Sequence, residues 1–204
     1  GDDTVIIAGA TNETTLYGAG AGTGSGDGAD SLNFTGTVSS STLQGNAGND
    51  TFDFLAEVGR SSIQAGAGSD LVSADAGLTG SQAFGNAGDD TIVFGGGVTS
   101  STILGGGSST DSGQDSIVVG GLVLSSSVAG GDASDTFRIN GAFSASTAQG
   151  GAGNDTLLFT SGATGSSILG GAGSDMITAG GGVATASVLG GSGNDSLVFT
   201  ATVS

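Results

Sequence analysis

Nine aspartates fall at regular intervals along this chain. Asp30, Asp50, Asp70, Asp90, Asp115, Asp135, Asp155, Asp175 and Asp195 are separated by steps of 20, 20, 20, 25, 20, 20, 20 and 20 residues, and Asp3 precedes them by 27. Glycine-rich hexapeptides lead into them: GNAGND ends at Asp50, AGAGSD at Asp70, GNAGDD at Asp90, GGDASD at Asp135, GGAGND at Asp155, GGAGSD at Asp175 and GGSGND at Asp195. Carboxylates are hard anionic oxygen donors. Glycine and asparagine reach left-handed backbone conformations at low cost, so such a turn can aim its carbonyl oxygens inward. Calcium takes six to eight oxygens of these two kinds at about 2.3–2.6 Å.

Gly, Asn and Asp also make ordinary turns. A magnitude separates the two readings. Two carboxylates one strand spacing apart repel by about 0.9 kcal/mol in bulk water, and by several times that at a protein-like dielectric. A file of ten accumulates this cost unless cations sit between the coils. The expected ligands are therefore the carboxylates of Asp3 and the nine phased aspartates. The turn backbone joins them at Gly45 and Ala47, Gly85 and Ala87, Gly150 and Ala152, Gly170 and Ala172, and Gly190 and Ser192. Ten corners enclose about nine gaps, so about nine Ca2+ ions in one row are expected, nearly cancelling the net charge of -17. Magnesium prefers strict octahedra with retained waters. Zinc lacks its usual ligands, because the chain has no His and no Cys.

The elements that would hold this row follow from the same period. Fixed-period self-similarity predicts a solenoid. Counting each phased Asp as zero, position +2 is apolar (Leu32, Phe52, Val72, Ile92) and so is +4 (Phe34, Phe54, Ala74, Phe94), while +3 is mixed (Asn33, Asp53, Ser73, Arg138). Period-two alternation predicts a half-buried strand. Apolar residues return at +8 (Val38, Val58, Leu78, Val98) and +13 (Leu43, Ile63, Ala83, Ile103). The parity change between them predicts a bend near +9 to +11. Serine fills +11 from Ser41 to Ser166 and gives way to Ala186; this column reads either as a solvated turn or as an inward polar ladder.

One unit therefore predicts one coil of two short strands, or three, that cannot bury its apolar side alone and must stack in register. The expected fold is all-β: a single-stack parallel β-solenoid of about ten 20-residue coils, a rod of about 48 Å at the usual strand spacing. It forms one repeat array over residues 1–204, read as an excerpt of a longer one. Ala83 beside Phe84, and Ala148 with Phe143, read as volume compensation in the core. Tyr17 reads as core or edge.

Composition narrows the function classes. With only Arg60 and Arg138 on the basic side, nucleic acid is excluded as a natural partner. No apolar run reaches the roughly 18 residues of a membrane span, and residue 1 already lies inside a repeat, so no signal peptide is expected here. An enzyme is not expected: His, Cys and Lys are missing, and the carboxylates are alike in every coil where catalysis needs one distinct constellation.

The corner and the strand after it resemble the hemolysin-type calcium-binding nonapeptide GGxGxDxUx of RTX proteins. GGAGNDTLL (Gly150 to Leu158) and GGSGNDSLV (Gly190 to Val198) match it fully. The resemblance implies that the first six residues bind calcium between stacked turns and the last three form a strand. It also implies export by type I secretion and folding outside the cell. RTX rolls carry a nonapeptide at both corners of an eighteen-residue coil; here only one corner has it, so a single row of ions is expected. Ala133 replaces a turn glycine, which puts the site at Asp135 in question, with Asp132 as the nearby compensation. The insertions at 20–27 and 108–112 add Asp27 and Asp111, either as ligands or in solvated loops. The expected role is structural: a calcium-stiffened region of a secreted bacterial surface protein (adhesin stalk, surface layer or filament) whose partners are calcium, neighbouring repeats or copies of itself. The alternatives are an ice-binding module, suggested by the hydroxyl file at +12 (Thr42, Ser62, Thr102), and an accessory module of a secreted enzyme.

Overall fold

The structure is a computed structural model that describes residues 1–18, 28–107 and 113–203. It is all-β. Each 20-residue unit makes one coil of three strands, and like strands of successive coils pair in parallel to form, among the described residues, three sheets of ten, nine and nine strands. In the coil led by Asp50 the strands are Thr51–Phe54, Val58–Gly59 and Ser62–Ala67. The register advances by one period: Thr51 pairs with Leu71 and Val58 with Leu78. It steps by 27 from Thr4 to Ser31 and by 25 from Thr91 to Ser116, so both insertions are absorbed without a slip. A one-residue slip would turn every inward side chain outward.

The third strand settles the open count. Positions +12 to +17 form it in most coils, as in Thr42–Ala47 and Ser167–Ala172. The expected bend between +8 and +13 lies at +10, where the backbone turns left-handed at Ser40, Arg60 and Ser100 (φ 51°, 49° and 50°). That one residue resets the alternation, so +8 and +13 both face inward. The serine column at +11 is an inward polar ladder. The amide of Ser41 donates to Ser61 Oγ, that of Ser61 to Ser81 Oγ, and so on to Ser166, at 3.0–3.2 Å. Each Ser Oγ in turn donates to a carbonyl two residues back, such as Ser126 to Leu124 O at 2.8 Å.

The core is the file of +2, +4, +8 and +13 side chains, with Phe52, Phe54, Val58 and Ile63 all fully buried. Phe34 and Phe54 stack with centroids 4.9 Å apart. Phe143 meets Phe159 edge to face at the same separation. One packing expectation needs correction. Phe84 does not fill the space beside Ala83; it lies on the outer face of the third sheet between Gln64 and Leu104. Adjacent residues in a strand point to opposite faces, and it is Ile63 and Ile103 that flank Ala83 on the inside. Tyr17 stands exposed on the edge strand Thr15–Tyr17 rather than in the core.

Candidate functional site

The phased aspartates share their parity with the core positions and point inward. Asp30, Asp50, Asp70, Asp90, Asp115, Asp135, Asp155 and Asp175 are all 1–3% exposed. Each reaches back along the rod. Asp50 Oδ1 accepts the amide of Asp30, Asp70 Oδ1 that of Asp50, and the pattern runs unbroken from Asp3 to Asp195 at 2.7–3.0 Å. A backbone amide is an obligatory donor, and a buried one without a partner is costly. One oxygen of every carboxylate therefore does a structural job between coils.

Except at Asp70, the second oxygen faces a glycine. A methyl group built on Gly45 would overlap Asp50 Oδ2, and the same holds for Gly85 with Asp90, Gly150 with Asp155, Gly170 with Asp175 and Gly190 with Asp195. Gly18 and Gly105 play this part for Asp30 and Asp115. Each insertion thus enters between the facing glycine and its aspartate. The insertions, with Asp27 and Asp111, lie outside the described residues.

A backbone carbonyl from the next coil closes on the same point. The methyl on Gly45 would also overlap the carbonyl of Ala65; on Gly85, Gly150 and Gly170 it would meet those of Gly105, Gly170 and Gly190. A carboxylate oxygen and a carbonyl oxygen from two coils therefore converge above each of these glycines. The Oδ2 atoms of Asp30, Asp70, Asp155 and Asp175 are buried with no hydrogen-bond partner. Burial pushes the Asp70 carboxyl up to about 6 and that of Asp155 up to about 7; the donated amide works against the rise and neighbouring aspartate charge adds to it.

The donor set suits a hard divalent cation in kind: anionic oxygen and carbonyl oxygen, with no nitrogen or sulfur. Among the described residues no three acids gather at one point, so a cation held here would draw the rest of its oxygens from backbone. Of the turn backbone expected to contribute, Gly45, Gly85, Gly150, Gly170 and Gly190 line the cradles, and the carbonyls of Gly170 and Gly190 point into them. The carbonyls of Ala87, Ala152, Ala172 and Ser192 each accept an amide from the preceding coil at 2.6–2.8 Å. Ala133 takes the left-handed turn position of the missing glycine at φ 116°. The preceding coil stands back there: the nearest atom to a methyl on Gly131 would be Gly106 Cα, at 3.2 Å, where the matching Gly151, Gly171 and Gly191 meet a carbonyl in overlap. Asp132 is half-buried beside it.

A second, outer ladder escaped the sequence reading. At position −1 the side chain bonds forward: Asn49 Oδ1 accepts the amide of Ser69, Asp89 Oδ1 that of Gln114, Ser134 Oγ that of Asn154 and Asn154 Oδ1 that of Ser174. The signal was present, since Asn49, Ser69, Asp89, Ser134, Asn154 and Ser174 are all short polar residues.

No family model, no curated protein and no solved structure matches the chain. The chain is a parallel β-solenoid with coils of about 20 residues, compatible with an RTX-type repeat fold.

Proposed function

We propose that this chain is a calcium-stabilised structural rod, a variant of the RTX repeat with a 20-residue coil and one row of ions, from a large secreted bacterial surface protein. The observation that carries the reading is the file of buried Oδ2 atoms at Asp30, Asp155 and Asp175 that have no hydrogen-bond partner. A buried anionic oxygen left without compensation is costly, and its recurrence at one point in the coil calls for a repeating compensation. A divalent ion supplies positive charge to that row. At Asp50, Asp90, Asp155 and Asp175 the chain's own residues hold the two faces of the corner: the Asp carboxylate from one coil and a backbone carbonyl from the next. Because the cradle exists only between stacked coils, binding is coupled to folding. Export unfolded through a low-calcium cytoplasm, with folding at the dissociation constants of about 0.1–1 mM typical of extracellular sites, follows from the RTX resemblance.

Circular dichroism during a calcium titration with chelator reversal tests the reading. The expected result is a cooperative gain of β-structure with calcium and its loss in chelator. A chain equally folded and equally stable in chelator sinks it. The ice-binding alternative draws on one observation: Thr42, Ser62, Thr102, Ser127, Thr147 and Ser167 line the outer face of the third sheet. Gln82 interrupts that file, and the parallel outer column carries Gln44, Gln64, Phe84 and Leu104 in place of hydroxyls. A thermal-hysteresis measurement separates the two.

A further inference from the structure

One corner differs from the rest at the point where the two oxygens converge. The aspartates from Asp30 to Asp195 are faced by glycine at Gly18, Gly45, Gly85, Gly105, Gly130, Gly150, Gly170 and Gly190. The ninth, Asp70, has Ala65 in that place, and Ala65 is fully buried. In the glycine coils a methyl group would overlap the carboxylate Oδ2. Ala65 brings such a methyl into the corner of Asp70. Asp70 is as buried as its neighbours, at 3% exposed. It accepts the amide of Asp50 at 2.7 Å, and its Oδ2 has no hydrogen-bond partner. The ladder is therefore intact at this coil, and the position left bare at the glycine corners carries the buried methyl of Ala65.

Resting on the calcium reading above, we infer that Ala65 closes the corner of Asp70 to a cation and divides the row into two runs, Asp3 to Asp50 and Asp90 to Asp195. The physical reason is contact distance. A bound calcium needs oxygen at about 2.3–2.6 Å, and a methyl group excludes both the ion and its hydration water from the space it fills. At Asp70 the coil is held by its amide ladder and its core alone. The two runs then bind calcium with less coupling between them than within each.

Ion counting by native mass spectrometry on the full chain in millimolar calcium tests this, with thermal melting of each variant as a fold control. Ala65→Gly opens the cradle and is expected to raise the count by one ion over the parent chain. Gly150→Ala closes the cradle at Asp155 and is expected to lower it by one. An Ala65→Gly variant that folds and binds the same number as the parent overturns the inference and leaves the calcium reading standing. A parent chain and variant that both bind none overturn the calcium reading and the inference together. Ala65→Gly is the deciding variant because it removes atoms and adds no clash.

Discussion

Each phased aspartate has two oxygens with different duties, and substitutions can separate them. Asparagine at 155 keeps an oxygen to accept the Asp135 amide. It replaces the second oxygen by an NH2 that faces the Gly170 carbonyl. The expected outcome in chelator is a stabilisation of Asp155→Asn by about 0.5–1.5 kcal/mol, the usual net yield of one new hydrogen bond, together with a smaller gain from calcium than the parent shows. Urea unfolding with and without chelator reads both. The pH response follows from the raised values at Asp70 and Asp155, about 6 and 7 against an ordinary 3.8. The folded chain then binds more protons than the unfolded chain between about pH 4 and 7. Stability of the metal-free chain is therefore highest below about pH 4 with respect to these groups, falls as pH rises through that window, and levels off above it. Melting midpoints in chelator at pH 4.5 and 7.5 should drop in that order, and calcium should remove the part of the drop that Asp155 contributes. A flat profile in chelator would remove the burial account of these two carboxyls. The aspartate row, its phase and its glycines were all legible in the sequence, because a 20-residue echo is visible without a structure. That Oδ1 is occupied by an amide was not, since which partner a carboxylate chooses depends on how far the neighbouring backbone stands from it.

Within a coil, three strands and three corners share the work, and the corners carry the polar ladders. Strands at +2 to +4 were readable from alternation of Phe52 and Phe54 around Asp53. The second strand was harder to see because it is only two residues long, as at Val58–Gly59. The correction at Phe84 has the same root. Side-chain size suggested core, but the left-handed residue at +10 had already fixed which parity faces inward. The serine ladder gives a prediction at this scale. Ser126 Oγ accepts the Ser101 amide at 3.1 Å and donates to Leu124 O at 2.8 Å. Ser126→Ala strips the acceptor from a buried amide and should cost about 1–3 kcal/mol, measurable as a lower urea midpoint at unchanged m-value. A neutral result would mean that water reaches the corner and replaces the hydroxyl.

The whole rod carries a net charge of -17 with two arginines, and its acidic row is buried. Monovalent salt screens exposed charges well and buried ones poorly. Raising sodium chloride to about 1 M should therefore recover only part of the stability that a few millimolar calcium gives the metal-free chain, and magnesium should fall between them. Equal effects of sodium and calcium would assign the stabilisation to general screening.

The uniform parallel register has a final consequence for the length of the molecule. Every coil pairs with its neighbours in the same parallel register, so no coil is a keystone of the strand ladders. Excising residues 136–155 would join Asp135 to Thr156 and bring Asp135 one rung from Asp175 with each spine of amides resealed. Such a shortened rod should fold and melt near its parent, whereas removal of 19 residues throws the downstream half out of phase and should leave it unfolded by circular dichroism. The protein is in this sense a ruler marked in units of one coil: extra sequence is absorbed between strands, as at the 27- and 25-residue steps, but the rod itself grows or shrinks by whole marks.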